Sequence, residues 1–350
     1  MRVALLTNFI PPYRVSLFRA LRKRVGELRI FISTTMESGR AWPVDWQDLD
    51  VVVQKSWTIR RSWKQPEFEE PLEVHFPYDT LQQLAHYRPD RIITAELGAR
   101  SLQALLFGKS KRIPVVLWAT LSDRTEEHWG FARRALRKFM IPRFDRVIVN
   151  GADGARYIKR FRDDAPLQVP YTTDTAPFLA LPLEPRGREL LFVGSLTRRK
   201  GFHLLLDACA AHKFKLLVVG DGPLRREQPT IEYAGNVPYD DLPRWFARAG
   251  FLIMPSLADE WGVVVNEALA AGVPVIGSNY SQAVAELIEE GRNGWRFDPT
   301  DADAVAGAIK RALATDDDTL QRMRAQAREA ARALHPDAAA ERIAHLLKNL

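Results

Sequence analysis

Short apolar segments alternate with longer stretches of helical periodicity along almost the whole chain, and the alternation restarts in the second half. Helical patterns such as those at 15–24 and 81–86 separate several of the apolar segments. The strand-like segments are residues 3–6, 28–32, 51–53, 91–94, 115–118 and 147–149, and then 190–193, 215–219, 251–254 and 273–276. Strands that alternate with helices are typical of parallel sheets covered by helices. The sequence therefore predicts an α/β fold with two doubly wound sheets.

A proline-marked segment separates the two halves of this pattern. Its prolines occupy positions 166, 170, 177, 182 and 185. A chain of 350 residues is also too long for one ordinary core. We therefore predict a first domain at 1–175, a linker at 176–187 and a second domain at 188–333. The helical pattern at 334–350 is a candidate to cross back onto the first domain. Because ligands of open α/β sheets bind beyond the carboxyl ends of the strands, the cleft between the domains is the expected site.

Composition excludes several classes of protein. The single cysteine, Cys209, rules out a disulfide framework, and no metal-binding pattern accompanies it. A reducing cytoplasm is therefore the expected location. The N-terminal apolar run is too short for a signal peptide, and no apolar run approaches the roughly 18 residues that span a bilayer.

Basic residues are concentrated in the first half of the chain. Residues 1–185 contain 29 Lys and Arg against 21 Asp and Glu, in a chain whose net charge is +7. The excess is densest at 133–146, where basic residues alternate with apolar ones at helical spacing. This segment is either an amphipathic helix with a solvated basic face or a surface that contacts anionic lipid or a phosphorylated acceptor. No nucleic-acid-binding motif is present, so nucleic acid is not an expected partner.

The segment 256–272 carries the most chemical information. Asp259 and Glu267 lie eight positions apart, on either side of a Gly-Val-Val turn at 262–264 that precedes a helix. Peptide N–H groups at a helix start attract phosphate, and carboxylates accept hydrogen bonds from sugar hydroxyls. Together these groups describe a pocket for a nucleotide sugar. The plainer interpretation is a solvated acidic loop followed by a helix.

This segment resembles the donor motif of the retaining family-4 glycosyltransferases, which have the GT-B fold of two Rossmann-like domains facing across a cleft. In that family two glutamates lie eight positions apart. The second binds the nucleotide ribose, and the first faces the transferred sugar. Glu267 matches the second glutamate. Asp259 occupies the position of the first and Glu260 is adjacent, so either acid is a candidate to face the sugar.

A second segment, 191–201, also resembles the family. The family usually has an arginine directly after the first glycine and a lysine five positions later, and both neutralise the donor diphosphate. Lys200 matches the lysine, whereas Ser195 occupies the arginine position, so Arg198 or Arg199 is a candidate to supply the missing charge. Fixed positive charge stabilises the departing diphosphate, and no metal or cofactor is therefore expected.

Further segments extend the resemblance over 188–313. The Gly-Asp-Gly-Pro turn at 220–223 matches a family turn and is not a dinucleotide fingerprint. The segment 235–238 matches a loop whose backbone, at Val237, is expected to contact the nucleotide base, and 285–297 resembles the closing segment. The predicted donor-binding residues are Gly194, Ser195, Arg199, Lys200, Gly220, Val237, Gly262, Val263, Val264 and Glu267.

The first domain is expected to bind the acceptor. Where the family has a Gly-Gly turn after the first strand, this chain has two prolines followed by Tyr13 and Arg14. Arg14 could bind phosphate in place of backbone donors, or both residues could contact the acceptor. Glu96, after another strand, and His128, the first histidine after the strand-like segment 115–118, are further candidates. The segment 36–70 contains four tryptophans, which either stack on sugar rings or cover a core.

The resemblance implies retaining transfer of a hexosyl group from a nucleoside diphosphate sugar, with UDP or GDP as the nucleotide, to an acceptor hydroxyl. Asp259, Lys200 and Glu267 are the predicted catalytic residues. The expected setting is synthesis of a bacterial cell-surface polysaccharide or glycolipid, with a sugar or lipid-linked acceptor at the inner face of the cell membrane. A nucleotide-sugar epimerase of the same fold and a non-catalytic nucleotide-sugar-binding protein are the alternatives.

Overall fold

The computed structural model describes residues 1–37, 44–127, 129–183 and 187–350, and the chain divides into two compact units. The first unit comprises Met1–Gln65, Glu70–Thr172 and Pro336–Leu350, and the second comprises Pro66–Glu69 and Thr173–His335.

The strands are β1 Arg2–Thr7, β2 Glu27–Ile32, β3 Asp50–Val53, β4 Ser56–Gln65, β5 Phe68–Pro77, β6 Arg91–Ala95, β7 Val115–Ala119, β8 Arg146–Val149, β9 Leu167–Gln168, β10 Leu190–Val193, β11 Leu216–Val219, β12 Ile231–Gly235, β13 Phe251–Met254, β14 Val275–Ser278 and β15 Gly294–Phe297. The α-helices are α1 Pro12–Val25, α2 Thr80–Tyr87, α3 Ala99–Lys111, α4 Asp123–Glu126, α5 Phe131–Met140, α6 Ala152–Lys159, α7 Ala176–Leu179, α8 Phe202–His212, α9 Leu242–Arg248, α10 Val263–Ala270, α11 Gln282–Leu287, α12 Ala302–Leu313, α13 Asp317–Ala331 and α14 Pro336–Lys348. Short 3-10 turns occur at Ile141–Arg143, Tyr239–Asp241 and Arg332–Leu334.

The first unit is organised around a parallel sheet of order β3-β2-β1-β6-β7-β8-β9. Its inner strands are mostly apolar, because both faces of a parallel sheet are covered by helices. Strand β7, with sequence Val-Val-Leu-Trp-Ala, is buried at every position. The strand order reverses between β1 and β6, so the loops after these two strands diverge at a topological switch point.

The second unit repeats this design with a parallel sheet of order β12-β11-β10-β13-β14-β15. Its switch point lies between β10 and β13. Helix α7 lies inside the predicted linker 176–187, of which residues 184–186 are outside the described part of the chain. The ring of Phe178 on α7 is buried and meets Phe246 edge to face at 5.4 Å, so this segment packs on the second unit.

Helix α14 belongs to the first unit, although it follows α13 of the second unit in the chain. Its buried face, with Ile343 and Leu347, joins the apolar core that also contains Leu17 and Leu21 of α1. The Arg91 side chain donates to the carbonyl oxygen of Leu347 at 3.1 Å. The chain therefore crosses from the second unit to the first between positions 335 and 336.

The predicted α/β fold class is confirmed, with two Rossmann-like sheets. The sequence reasoning missed the short strands β9, β12 and β15. It also missed the paired strands β4 and β5, which form a separate two-stranded sheet that begins in the tryptophan-rich segment 36–70 and extends beyond it. On β4, Trp57 is exposed, whereas Trp63 is partly buried; Trp42 lies outside the described residues. Over the described ranges, no helix combines the length and apolarity needed to cross a membrane.

Candidate functional site

Loops from neighbouring strands of the second unit meet at the carboxyl edge of its sheet. The loop after β10 contains Lys200, and the loop after its neighbour β13 contains Asp259. The amide of Leu257 donates to the carbonyl oxygen of Arg199 at 2.7 Å, which joins the two loops. Gly201 has a φ of +70°, and a Cβ at this position would lie 2.0 Å from a proline carbonyl oxygen of the second loop. A glycine is therefore required where these loops approach.

The structure brings two of the predicted catalytic residues into direct contact. The ammonium Nζ of Lys200 donates to Oδ2 of Asp259 at 2.5 Å. Burial alone would raise the pKa of the Asp259 carboxyl, but the positive charges of Lys200 and Arg199 and the hydrogen bond from Lys200 lower that pKa below its usual value. The carboxylate is therefore ionised.

The sequence left two acids as candidates to face the sugar and two arginines as candidates to supply the missing charge, and the structure gives them different surroundings. The Asp259 side chain is 12% exposed, whereas Glu260 is an exposed residue whose backbone oxygen accepts a hydrogen bond from Gln282 at 2.7 Å. The structure therefore places Asp259 in direct contact with Lys200. Of the two candidate arginines, Arg199 contributes positive charge that lowers the pKa of Asp259. Its guanidinium donates to the carbonyl oxygen of Ala258 at 3.4 Å.

The turn before α10 is held by buried side chains. Gly262 has a φ of +101°, and a Cβ here would lie 2.5 Å from the end of the Met254 side chain and 2.9 Å from the Ser281 hydroxyl. The indole Nε1 of Trp261 donates to Oδ1 of Asn266 at 3.0 Å, and both side chains are buried. Helix α10 starts at the next residue, with Val263 and Val264 in its first turn, so its leading N–H groups have no partner inside the helix. This helix start can bind an anion.

The third predicted catalytic residue, Glu267, lies one turn into α10 and is only 4% exposed. Burial raises the pKa of its carboxyl to about 7, although the hydrogen bond from Tyr239 opposes the shift. The Tyr239 hydroxyl donates to Oε1 of Glu267 at 2.9 Å and also hydrogen-bonds the Thr173 hydroxyl. The Tyr239 ring packs edge to face on Phe178 at 6.4 Å.

Sequence reasoning missed Tyr239 and Thr173. The nearest signal was the position of Tyr239, two residues after Val237 in the predicted base-binding loop. Val237 is itself partly buried, and its loop reaches α10 through the Tyr239 contact with Glu267. The structure thus connects the predicted base loop to the predicted ribose-binding carboxylate.

The glycine turns after β10 and β11 pack closely on each other. Gly220 has a φ of +127°, and a Cβ there would lie 2.1 Å from the carbonyl oxygen of Gly194. Ser195, at the position of the family's arginine, is exposed. The two turns therefore offer backbone, rather than a fixed cation, at this edge of the sheet.

The first-unit candidates lie at the carboxyl edge of the other sheet. Arg14, on α1, has its guanidinium carbon 3.9 Å from the ring centre of Tyr171, and Tyr13 meets the same ring edge to face at 6.5 Å. Glu96, directly after β6, has a φ of +67° and accepts a hydrogen bond from the Asn8 amide at 2.6 Å. His128 lies outside the described residues. Among the residues that are described, no group of three or more metal-ligating side chains is present.

Comparison with known proteins finds similarity to glycosyltransferases. Residues 187–315 match the family model described as glycosyl transferases group 1. A putative colanic acid biosynthesis glycosyltransferase, WcaL, of Salmonella typhimurium is 30% identical over 162 residues, which cover 40% of this chain and 40% of that protein. The corresponding protein of Escherichia coli is 28% identical and covers 73% of this chain and 67% of its own length. The chain thus spans about two fifths of the length of the Salmonella relative.

Solved structures agree with this comparison at the level of the fold. HepE of Anabaena, crystallised with UDP, superimposes with a TM-score of 0.75 at 17% identity, and the match covers 100% of both chains. An identity this low supports the fold alone. The second unit of this protein therefore contains the segment characteristic of group 1 glycosyl transferases, and the chain as a whole has the α/β fold of the GT-B glycosyltransferases.

Proposed function

We propose that this protein is a glycosyltransferase that moves a hexosyl group from a nucleoside diphosphate sugar, with UDP or GDP as the nucleotide, to an acceptor hydroxyl with retention of configuration. One observation carries the proposal. Lys200 and Asp259 form a direct ion pair at the switch point of the second sheet, within the segment that matches the family model. Glu267 lies on the helix that begins directly after the same loop. Relatives of the chain in polysaccharide synthesis and the UDP complex of HepE support the same conclusion.

Each residue has a distinct task in this proposal. The positive charge of Lys200 and the N–H groups at the start of α10 neutralise the diphosphate as it departs. The ionised Glu267 accepts hydrogen bonds from the ribose hydroxyls, and Asp259 accepts one from the transferred sugar. The departing phosphate oxygen itself takes the proton of the acceptor hydroxyl, so the step needs no additional side-chain base. The cations supply the positive charge in this scheme, and transfer is therefore expected to be insensitive to a chelator.

A nucleotide-binding panel tests the proposal. UDP, GDP, ADP and their common sugar conjugates are titrated against the wild type, Glu267→Ala and the matched control Glu260→Ala, which removes the exposed neighbouring acid. We expect one nucleotide to raise the melting temperature of the wild type and of the control but not of Glu267→Ala. Slow hydrolysis of the matching sugar conjugate, measured with and without chelator, then tests catalysis.

Either of two results would overturn part of the proposal. The absence of any nucleotide-dependent shift would contradict a donor site in the second unit. Tight binding with neither transfer nor hydrolysis would indicate a nucleotide-sugar-binding protein instead.

We also propose that part of the basic segment 133–146 contacts an anionic membrane. Arg137 is buried and, together with Arg133, forms ion pairs with the Glu126 carboxylate, at 2.8 Å and 2.7 Å respectively. These two arginines therefore have a structural role. The remaining exposed face of α5, which we term the α5 face, consists of Phe131, Arg134, Lys138 and Phe139. Exposed phenylalanines beside basic residues are typical of a surface that binds at the headgroup level.

Vesicle binding tests the α5 face. Co-sedimentation with vesicles that contain phosphatidylserine is compared for the wild type and a variant with both Arg134→Glu and Lys138→Glu. A variant with Lys23→Glu and Lys111→Glu has the same net charge and alters exposed lysines elsewhere on the first unit. We expect binding to be lost only in the α5 variant. Equal loss in both variants would indicate nonspecific attraction, and no binding by the wild type would refute the contact.

A further inference from the structure

Two aromatic side chains of the first unit pack on each other at the protein surface. Trp57, near the start of β4, is 69% exposed, and Tyr78, directly after β5, is 54% exposed. Their ring centres lie 5.2 Å apart, and the ring planes are tilted by 39°. Aromatic side chains contribute strongly to cores and interfaces, so a contacting pair that stays this exposed indicates a binding surface.

Backbone hydrogen bonds hold the pair in place. The amide of Tyr78 donates to the carbonyl oxygen of Lys55 at 3.0 Å. The amide of Lys55 in turn donates to Oδ2 of the buried Asp79 at 3.2 Å. The two rings therefore lie at the base of the paired strands, where β4 follows β3 after two residues, and not at the tip between β4 and β5. Rings that are fixed in this way lose little conformational entropy when a ligand binds.

Strand β4 has two faces, because successive side chains of a strand point to opposite sides. The Thr58 hydroxyl is hydrogen-bonded to Nδ1 of His75 at 2.9 Å, and these residues lie on one face. Arg60, on the same face, pairs with Glu73 at 3.5 Å. The alternate positions form the opposite face, and all of them are exposed. With Tyr78, we term this surface the β4 face: Lys55, Trp57, Ile59 and Arg61.

The β4 face combines apolar groups with positive charge at both ends. Ile59 is 44% exposed and extends the apolar surface of the ring pair along the strand. Lys55 and Arg61 flank this apolar surface, and both are exposed. Ammonium and guanidinium groups bind carboxylates and phosphates. The face therefore complements a ligand that has apolar surfaces and anionic groups close together.

The size of the β4 face favours a glycan over a protein or a membrane. An aromatic side chain buries roughly 150 to 250 Å² in full, so the exposed parts of the two rings offer about 200 to 300 Å². A stable protein interface needs about 800 Å² from each partner. Two adjacent rings instead match the apolar faces of neighbouring sugars in a chain. Insertion into a membrane needs protruding side chains, whereas these rings lie at the base of the paired strands.

We propose that the β4 face binds an acidic oligosaccharide, with its two rings stacked on successive sugars and its two cations bound to carboxylate or phosphate groups. The inference rests on the proposed glycosyl transfer only for the role of this oligosaccharide as the acceptor. Strand β3, which leads into β4, is two strands from β1 at the switch point, a separation of about 10 Å. The β4 face therefore holds sugars other than the one that reacts, which favours an acceptor of several sugars over a monosaccharide.

Calorimetry on the full chain tests the β4 face. The probes are hyaluronan oligosaccharides of two and of six sugars, which contain glucuronate, and the neutral hexasaccharide cellohexaose, each titrated with and without UDP. Trp57→Ala removes one ring of the pair. Phe131→Ala is the matched control, because it removes an aromatic side chain that is 80% exposed on α5. A double variant, Lys55→Ala with Arg61→Ala, removes both cations.

We expect the wild type to bind the acidic hexasaccharide more tightly than the disaccharide or cellohexaose. Trp57→Ala should weaken this binding by roughly tenfold or more, because it removes a stacking contact. The double variant should lose the preference for the acidic hexasaccharide over cellohexaose. Phe131→Ala should leave each affinity unchanged. Tyr78→Ala provides the same comparison as Trp57→Ala should that variant fail to fold.

The inference and the proposed function fail in different ways. No binding of the acidic hexasaccharide by the wild type, or equal affinity of the wild type and Trp57→Ala, would overturn the inference. Self-association in sedimentation velocity, or binding to vesicles, that is lost in Trp57→Ala would also overturn it, since a second copy or a membrane would then occupy the face. UDP affinity should be the same in the wild type and Trp57→Ala. The titrations without UDP test the β4 face even where the proposed function fails and no nucleotide binds.

Discussion

Because the carboxyl of Glu267 is buried, we expect Glu267→Gln to be more stable than the wild type at alkaline pH. We expect the same substitution to weaken nucleotide binding. Burial raises the pKa of this carboxyl from 4.5 to about 7. Each pKa unit corresponds to about 1.4 kcal/mol, so the ionised carboxylate destabilises the folded protein by roughly 3 kcal/mol. The folded state binds this proton more tightly than the unfolded chain does. The stabilising contribution is therefore complete below about pH 4.5 and is lost as the pH rises through about 7.

Urea unfolding across a pH series measures this effect. Between about pH 5 and pH 8.5, the free energy of unfolding of Glu267→Gln should rise relative to that of the wild type by roughly 2 to 3 kcal/mol. Glu260→Gln, which replaces the exposed neighbouring acid, is measured in parallel as the control for the loss of one negative charge. A difference between Glu267→Gln and the wild type that is constant across the series would refute the raised pKa.

The ionisation of Glu267 also predicts how UDP binding depends on pH. In the proposed site the ionised Glu267 accepts the ribose hydroxyls, so UDP affinity of the wild type should increase from about pH 6 to pH 8, over which a group with a pKa of about 7 ionises. Glu267→Gln should bind UDP at least roughly tenfold more weakly at pH 8 and show little pH dependence. Equal UDP affinity of the two proteins at pH 8 would show that Glu267 does not contact the nucleotide.

Three further substitutions test the hydrogen bond to Glu267, the close approach of two loops and a buried arginine. Tyr239→Phe removes the hydrogen bond that lowers the pKa of Glu267. The pH midpoint of UDP binding should therefore move upward, and the Kd for UDP should rise roughly threefold to tenfold. An unchanged midpoint would contradict this expectation. Gly201→Ala should cost roughly 2 kcal/mol or more in a denaturant titration, because a Cβ there would overlap a backbone oxygen, whereas Gly98→Ala, with open space around it, should cost less than about 1 kcal/mol. Arg324 is 1% exposed, and its two terminal nitrogens have no partner among the described residues. In the same denaturant titration, Arg324→Met should therefore raise the free energy of unfolding by roughly 1 kcal/mol or more. A lower free energy of unfolding would contradict this expectation.

The sequence predicts most strands of the two large sheets, because a parallel strand buried on both faces is a continuous apolar run; it does not predict β9, β12 and β15. The prediction at 3–6 corresponds to β1 at Arg2–Thr7, and the prediction at 251–254 corresponds to β13. The pair β4 and β5 could not be found in this way. Strand β4 has the sequence Ser-Trp-Thr-Ile-Arg-Arg-Ser-Trp-Lys-Gln and is exposed at most positions, so it lacks both an apolar run and a clean two-residue alternation.

Some residues of the candidate site can be predicted from the sequence around them, whereas others are identified only from the fold. Lys200 and Glu267 lie in recognisable segments, and each can be selected from its neighbours in the sequence. Thr173 and Tyr239 are 66 residues apart, and Tyr239 is 28 residues from the carboxylate that it contacts. A hydroxyl that supports a carboxylate needs no particular flanking residues. Its role therefore becomes visible only when the fold brings the three side chains together.

Topology explains which distant residues meet. Lys200 and Asp259 are 59 residues apart, yet they lie beside each other because β10 pairs directly with β13 while β11 and β12 extend the sheet in the other direction. The first unit has the same reversal between β1 and β6, and there it brings Asn8 next to Glu96 across 88 residues. At each switch point, neighbouring loops diverge and leave space for a ligand. The same geometry is therefore found in both units, and in the second unit it lies within the segment that matches the group 1 family model.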